Sequence, residues 1–178
     1  GLSSGVMAIA AGWNNTCAIM IDNTVMCWGL NSSGQVGDGT TSQRLTPANV
    51  IGLGGAVSKI VIADYHICAL MQGTRGMKCW GNNSNAQLGD GTTINRANPV
   101  DVLGMSSDLV DIGVTGNNTS CAIAASGKIL CWGRNQQGQI GDGTTTQRNT
   151  PVEVLGSASS YAHIFGGNMA TFCALTEA

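Results

Sequence analysis

The triplet Cys-Trp-Gly occurs three times at one interval, as Cys27-Trp28-Gly29, Cys79-Trp80-Gly81 and Cys131-Trp132-Gly133. Both 79 − 27 and 131 − 79 give 52. A period of that size marks a tandem-repeat architecture, in which each unit leaves an apolar face that only its neighbours cover. Each triplet runs on through Gln35, Gln87 or Gln139 into Gly-Asp-Gly-Thr, whose aspartates are Asp38, Asp90 and Asp142. Arg44, Arg96 and Arg148 follow in register, and then Pro47, Pro99 and Pro151. This register divides the chain into units 1–51, 52–103 and 104–155, with 156–178 opening a fourth copy that stops just after Cys173.

Within a unit the apolar runs are short and rich in β-formers, and none holds a helical stripe. Val6 to Ala11, Cys17 to Ile21 and Thr24 to Trp28 read as antiparallel strands separated by Gly, Asn, Asp and Ser clusters. Asp22-Asn23 and Ser126-Gly127 supply tight turns, and the second unit is one residue longer there, with Gly73 and Gly76 suiting a looser loop. A further strand is expected after the proline, at about Ala48 to Ile51. The fold class is therefore all-β, three four-stranded units plus the start of a fourth, arranged as propeller blades rather than as the shorter coils of a β-helix.

The pattern of Cys-Ala followed by an apolar residue, a short turn, Cys-Trp-Gly-x-Asn, Gly-Gln, Gly-Asp-Gly-Thr and a downstream Pro resembles the RCC1 (regulator of chromosome condensation) repeat. It recurs from Cys17, Cys68 and Cys121, and its first part again at Cys173. The resemblance implies a β-propeller, usually of seven blades in that family, and no single activity: relatives include a nucleotide exchange factor, a plant light sensor, secreted enzyme inhibitors and receptor ectodomains. Many members carry a His two positions before Cys-Ala, where this chain has Asn15, His66, Thr119 and Thr171. Three repeats and a fraction do not close a ring, so these repeats are expected to belong to a larger propeller or to be completed by another chain.

Six cysteines bracket hairpins in pairs, Cys17 with Cys27, Cys68 with Cys79 and Cys121 with Cys131. Facing residues of antiparallel neighbours lie about 4.5 Å apart in non-hydrogen-bonded register, near the short end of what a disulfide spans. Repetition of the pair favours three disulfides, and with them an extracellular or cell-surface location. Free buried thiols in a cytosolic propeller are the alternative, and a metal site has no Cys-x-x-Cys or Cys/His spacing behind it. Cys173 is left unpaired, or with a partner outside the chain. Asn-x-Ser/Thr sequons make Asn14, Asn31, Asn82, Asn117 and Asn118 candidate glycosylation sites.

The matched Asp38, Asp90 and Asp142 invite a calcium reading, but one carboxylate per unit falls short of the six to eight oxygens that ion takes. Turn-forming aspartates are the expectation, with no metal and no cofactor. His66 and His163 sit at different offsets in their units, and neither has a nucleophile that the sequence places beside it. With no paired carboxylates for acid–base work and no phosphate-cradling loop, no catalytic residues are assigned. Trp28, Trp80 and Trp132 recur and are expected to fill the space between blades. Arg44, Arg96 and Arg148 are expected to bond carbonyls across a blade junction.

Trp13 and Tyr65 are different: their equivalents are Asp64 and Asn117 for the first, Asn14 and Asn118 for the second. Unrepeated aromatics in a turn mark candidate partner contacts. Only 10% of residues are charged, against about 25% on average, and the net charge is −2. Such a surface offers no field for nucleic acid, and no run is long enough for membrane insertion. The functional expectation is a non-enzymatic extracellular module for protein interaction or scaffolding. A filament or ring of identical subunits joined through open blade ends is the alternative, and a guanine nucleotide exchange regulator a further one.

Overall fold

The computed structural model describes residues 2–157, 160–167 and 169–176. They form three four-stranded antiparallel sheets and one two-stranded sheet, each built from consecutive strands. The first sheet holds β1 (Val6–Ala11), β2 (Asn15–Met20), β3 (Val25–Gly29) and β4 (Arg44–Asn49). The second holds β5 (Val57–Ile62), β6 (His66–Met71), β7 (Met77–Gly81) and β8 (Arg96–Asp101). The third holds β9 (Leu109–Thr115), β10 (Thr119–Ala124), β11 (Ile129–Gly133) and β12 (Arg148–Glu153). β13 (Tyr161–Gly166) and β14 (Phe172–Thr176) make the last.

The first strands β1, β5, β9 and β13 approach one another from sheet to sheet and line a shared channel. The fourth strands lie outermost. They start before the proline rather than after it, because an edge strand turns the missing proline N–H toward solvent and loses no ladder bond. Pairing resumes from Gly29 to Arg44 across an irregularity between Cys27 and Gly29, and the same break recurs at Cys79/Gly81 and Cys131/Gly133.

The cores lie between sheets, as a repeat that cannot bury itself requires. Ile19, Val36, Val57, Ile67 and Trp80 join the first sheet to the second; Leu70, Leu88, Ile112 and Trp132 join the second to the third; Ile123, Ile140 and Ile164 join the third to β13–β14. Middle strands gain most: β6 is buried along its whole length, whereas β1 is almost wholly exposed. The longer turn of the second sheet has a use. Arg75, at φ 57°, reaches across and donates from Nε to the carbonyl of Leu109 at 2.8 Å, clamping the second sheet to the third.

Candidate functional site: the turn face and the seams that hold it

Cys17–Cys27, Cys68–Cys79 and Cys121–Cys131 are disulfide-bonded, each joining directly opposed residues of the second and third strands. Cys173 is free and exposed on β14, opposite Phe165.

The loop after each Cys-Trp-Gly is held by one repeated cage. Asn31, Asn83 and Asn135 are buried; each accepts the N–H of the apolar residue after the glutamine and donates to the aspartate and threonine of Gly-Asp-Gly-Thr. Each aspartate accepts the N–H and hydroxyl of the threonine two residues on, and pairs with Arg44, Arg96 or Arg148 of its own unit. The arginines thus neutralise these carboxylates within the unit and do not bond carbonyls across a junction, as the sequence had suggested. Burial opposes the charged form of these aspartates, but the threonine and arginine hydrogen bonds outweigh it and hold them below the usual range, Asp142 at about 2. Among the described residues no cluster of metal-ligating side chains forms.

The caged loop docks on the next sheet. Trp80 donates its indole N–H to the carbonyl of Gln35 at 2.8 Å, and Trp132 to that of Gln87 at 3.0 Å. The second seam carries an extra strand of bonds. The Ser120 hydroxyl donates to the Gln87 carbonyl at 2.8 Å, so Nε2 of His66, 2.9 Å from Ser120 Oγ, is the donor to it. His66 is fully buried, and burial pushes its pKa down to about 3, so it stays neutral. Its counterparts Asn15 and Thr119 instead donate to carbonyls of their own units, those of Leu30 and Arg134 just past the third strand. His163 is far from this place: it stands by the channel, Nδ1 3.7 Å from the buried Asp111, which also accepts Lys59 Nζ at 2.6 Å.

With the sheets locked in this way, the turns between first and second strands gather on one face. Trp13, 68% exposed, and Tyr65 meet edge to face with ring centroids 6.2 Å apart. They come from different sheets, Trp13 from the turn before β2 and Tyr65 from the turn before β6. Beside them Trp13 and Asp64 line a cleft of about 610 Å³ walled by Ala11, Ile62, Val114 and the glycines at 12, 116, 166 and 167. A Cβ on Gly166 would fall on the carbonyl of Val114, so β13 and β9 approach as closely as backbone allows beside the cleft. The half-buried Asp64 carboxyl is raised above its usual range by burial. Nothing in the sequence marked Asp64 as a site residue, since its lack of a partner appears only once the turns are assembled.

The sequons separate by accessibility. Asn31 is excluded as a glycosylation site, because its amide is fully buried and donates inside the cage. Asn14 is exposed; Asn82, Asn117 and Asn118 are half-buried, with Asn82 and Asn118 accepting from Gln87 and Asn117 donating to Gln137.

The repeat described as "Regulator of chromosome condensation (RCC1) repeat" matches residues 22–70 and 126–174, more than half of the chain, and a second form of it matches 7–35 and 110–139. The chain belongs to the RCC1 repeat family. This RCC1 chain is 26% identical over 150 residues to the ultraviolet-B receptor UVR8 of Arabidopsis thaliana, covering 84% of itself and 34% of that protein. It is 29% identical over 157 residues to "Probable E3 ubiquitin-protein ligase HERC4" of Rattus norvegicus, covering 87% of itself and 15% of the relative. It thus spans 34% and 15% of the length of these relatives. Its fold matches yeast RCC1 (Prp20), solved bound to Kap60, with a TM-score of 0.83 and 17% identity, over 98% of this chain and 43% of that one. The RCC1 β-propeller is therefore the architecture, and its blades are the four-stranded sheets.

Proposed function

We propose that this chain is an extracellular or cell-surface RCC1 propeller module, without catalytic groups of its own, that engages a protein partner through the face carrying Trp13 and Tyr65. The observation that carries the reading is the exposed Trp13–Tyr65 pair. An indole left 68% open to water on a turn, where other units place Asp and Asn, costs solvation that packing within the chain does not return. Its edge-on contact with Tyr65 fixes its orientation, so little side-chain freedom remains to be lost on binding. Three disulfides support the compartment, since such bonds persist in oxidising surroundings. Yeast RCC1, solved bound to Kap60, is a precedent for a protein partner among RCC1 proteins.

Pull-down of extracellular proteins with the wild-type chain, Trp13→Ala and Tyr65→Ala tests it. Both variants should fold as wild type and lose the captured partner; retention of that partner by both would remove the face from the proposal.

Assembly of identical subunits is a second reading, favoured by the open side of the first sheet. Trp28 is only half-buried there, whereas Trp80 and Trp132 are fully buried, and Met7, Ile9 and Ile21 are exposed nearby in sequence. Light scattering across a concentration series should show a rising mass if copies dock through that side, and a constant monomer mass discards it.

A further inference from the structure

Asp64 stands apart in the charge pattern of the molecule. Six of the eight basic side chains hold carboxylates, as the pairs of Arg44, Lys59, Lys78, Arg96, Lys128 and Arg148. The other two are also occupied: Arg75 donates to the carbonyls of Leu109 and Val110, and Arg134 to Asn117 and Gln136. The acids Asp22 and Asp108, which lack a cation, accept from Thr24 and Ser107. Among the described residues only Asp64 has neither a cation nor a hydrogen-bond donor within reach, although it is half-buried. A carboxylate kept from water with nothing to pair with is unfavourable.

Its surroundings say what would relieve it. The cleft wall beside Asp64 carries Trp13, whose ring is held edge to face against Tyr65. An indole ring and a carboxylate lining one cleft make complementary halves of a cation site: the ring attracts positive charge through its quadrupole, and the carboxylate accepts the cation's N–H donors. The four glycines at 12, 116, 166 and 167 carry no side chain into the cleft, and the walls beyond Trp13 and Asp64 are alanine, isoleucine and valine, leaving about 610 Å³ open. Among the described residues no lysine or arginine is free to fill it. Burial raises the Asp64 carboxyl in the absence of a partner, and a bound cation would reverse that effect.

We infer that the cleft between Trp13 and Asp64 is a receptor for a cationic side chain, an arginine or lysine presented by the protein partner. The inference rests on the turn-face reading above and gives that face its chemical preference.

The experiment follows the Trp13 indole N–H resonance, assigned by its loss in Trp13→Phe, during titration with N-acetyl-arginine amide, N-acetyl-lysine amide, uncharged N-acetyl-citrulline amide and apolar N-acetyl-norleucine amide. A saturable shift is expected with arginine or lysine, weaker by about tenfold with citrulline, norleucine or in Asp64→Asn, as loss of a charge-assisted contact implies. Unchanged Trp80 and Trp132 resonances, both from buried seams, verify that Asp64→Asn keeps the fold. Equal shifts with citrulline or norleucine, equal shifts in Asp64→Asn, or no saturable shift with either cation overturn the inference. The two readings fail separately. A partner captured equally by Asp64→Asn and wild type but lost by Trp13→Ala ends the cation site and leaves the face; one retained by Trp13→Ala and Tyr65→Ala ends the face itself.

Discussion

Trp80 and Gln35 lie 45 positions apart in the chain, and the indole nitrogen of one is 2.8 Å from the carbonyl oxygen of the other. Bond and burial coincide there. The ring is fully buried between two sheets, and the bond satisfies both a buried donor and a buried backbone acceptor. Trp80→Ala should therefore cost about 3–5 kcal/mol, as large-to-small core changes do. Trp80→Phe should cost about 1–3 kcal/mol, mainly by leaving the Gln35 carbonyl unpaired. Trp28→Ala should cost clearly less, because that ring is only half-buried. Urea unfolding of the three variants measures the order, and equal losses for Trp28 and Trp80 would contradict it.

Gly89 sits beneath the equivalent ring at φ +66°, and a Cβ there would stand 2.6 Å from Trp132 Nε1. Gly89→Ala thus meets both backbone strain and a clash with an indole that has nowhere to go. Gly104→Ala, at φ +74° with open space around it, meets only the strain. The first should lower stability by more than the roughly 1–2 kcal/mol expected of the second. Thermal unfolding of the pair separates the clash from the strain.

Asp38, Asp90 and Asp142 have folded-state pKa values below their unfolded ones. The unfolded chain therefore takes up protons first as pH falls. The stability these carboxylates give is complete above the ordinary aspartate value of about 3.9, and drains away as pH drops toward about 2, where Asp142 titrates. Asp64 has the opposite sign, with a raised folded pKa, so its charging costs stability as pH rises through that value. Denaturant midpoints from pH 5 downward should fall, and Asp90→Asn should flatten the slope while lowering the plateau.

Reduction of the three disulfides should destabilise the chain by about 3 kcal/mol per bridge in the chain-entropy estimate for loops of ten or eleven residues. Intact mass before and after reductant reads the bridge number, and a parallel unfolding curve reads the cost. A chain isolated from its native source with these six thiols reduced would argue against the extracellular placement.

Much of this architecture was legible in the 52-residue period. The strand pairs, the cross-strand cysteines and the packing role of the repeated tryptophans are all consequences of residue type at fixed spacing. Legibility ended where one residue meets another outside its own unit. The fourth strand begins at Arg44 rather than after Pro47, since only its place on the outer edge makes an internal proline harmless. The recurring glutamine was visible, but the use of its main-chain oxygen was not, because a backbone acceptor leaves no mark on composition. Asn31 read as a glycan acceptor until the cage closed around its amide. Asp64 read as ordinary for a similar reason: being unpaired is a property of everything around a residue.

The four first strands carry, at one matched position, Ala8, Lys59, Asp111 and His163, each opposite the residue two past a second-strand cysteine. Lys59 and Asp111 pair across the channel wall, and His163 approaches the same carboxylate. The tryptophan-to-glutamine bond that joins neighbours is repeated, and by itself it would accept the blades in any sequence. These four side chains would not. Exchanging the second and third blades would set the Lys59 ammonium beside the imidazole and move the Asp111 carboxylate away from His163 to stand next to Ala8. The charges along these first strands thus tell near-identical parts apart and favour the neighbours that the chain order supplies.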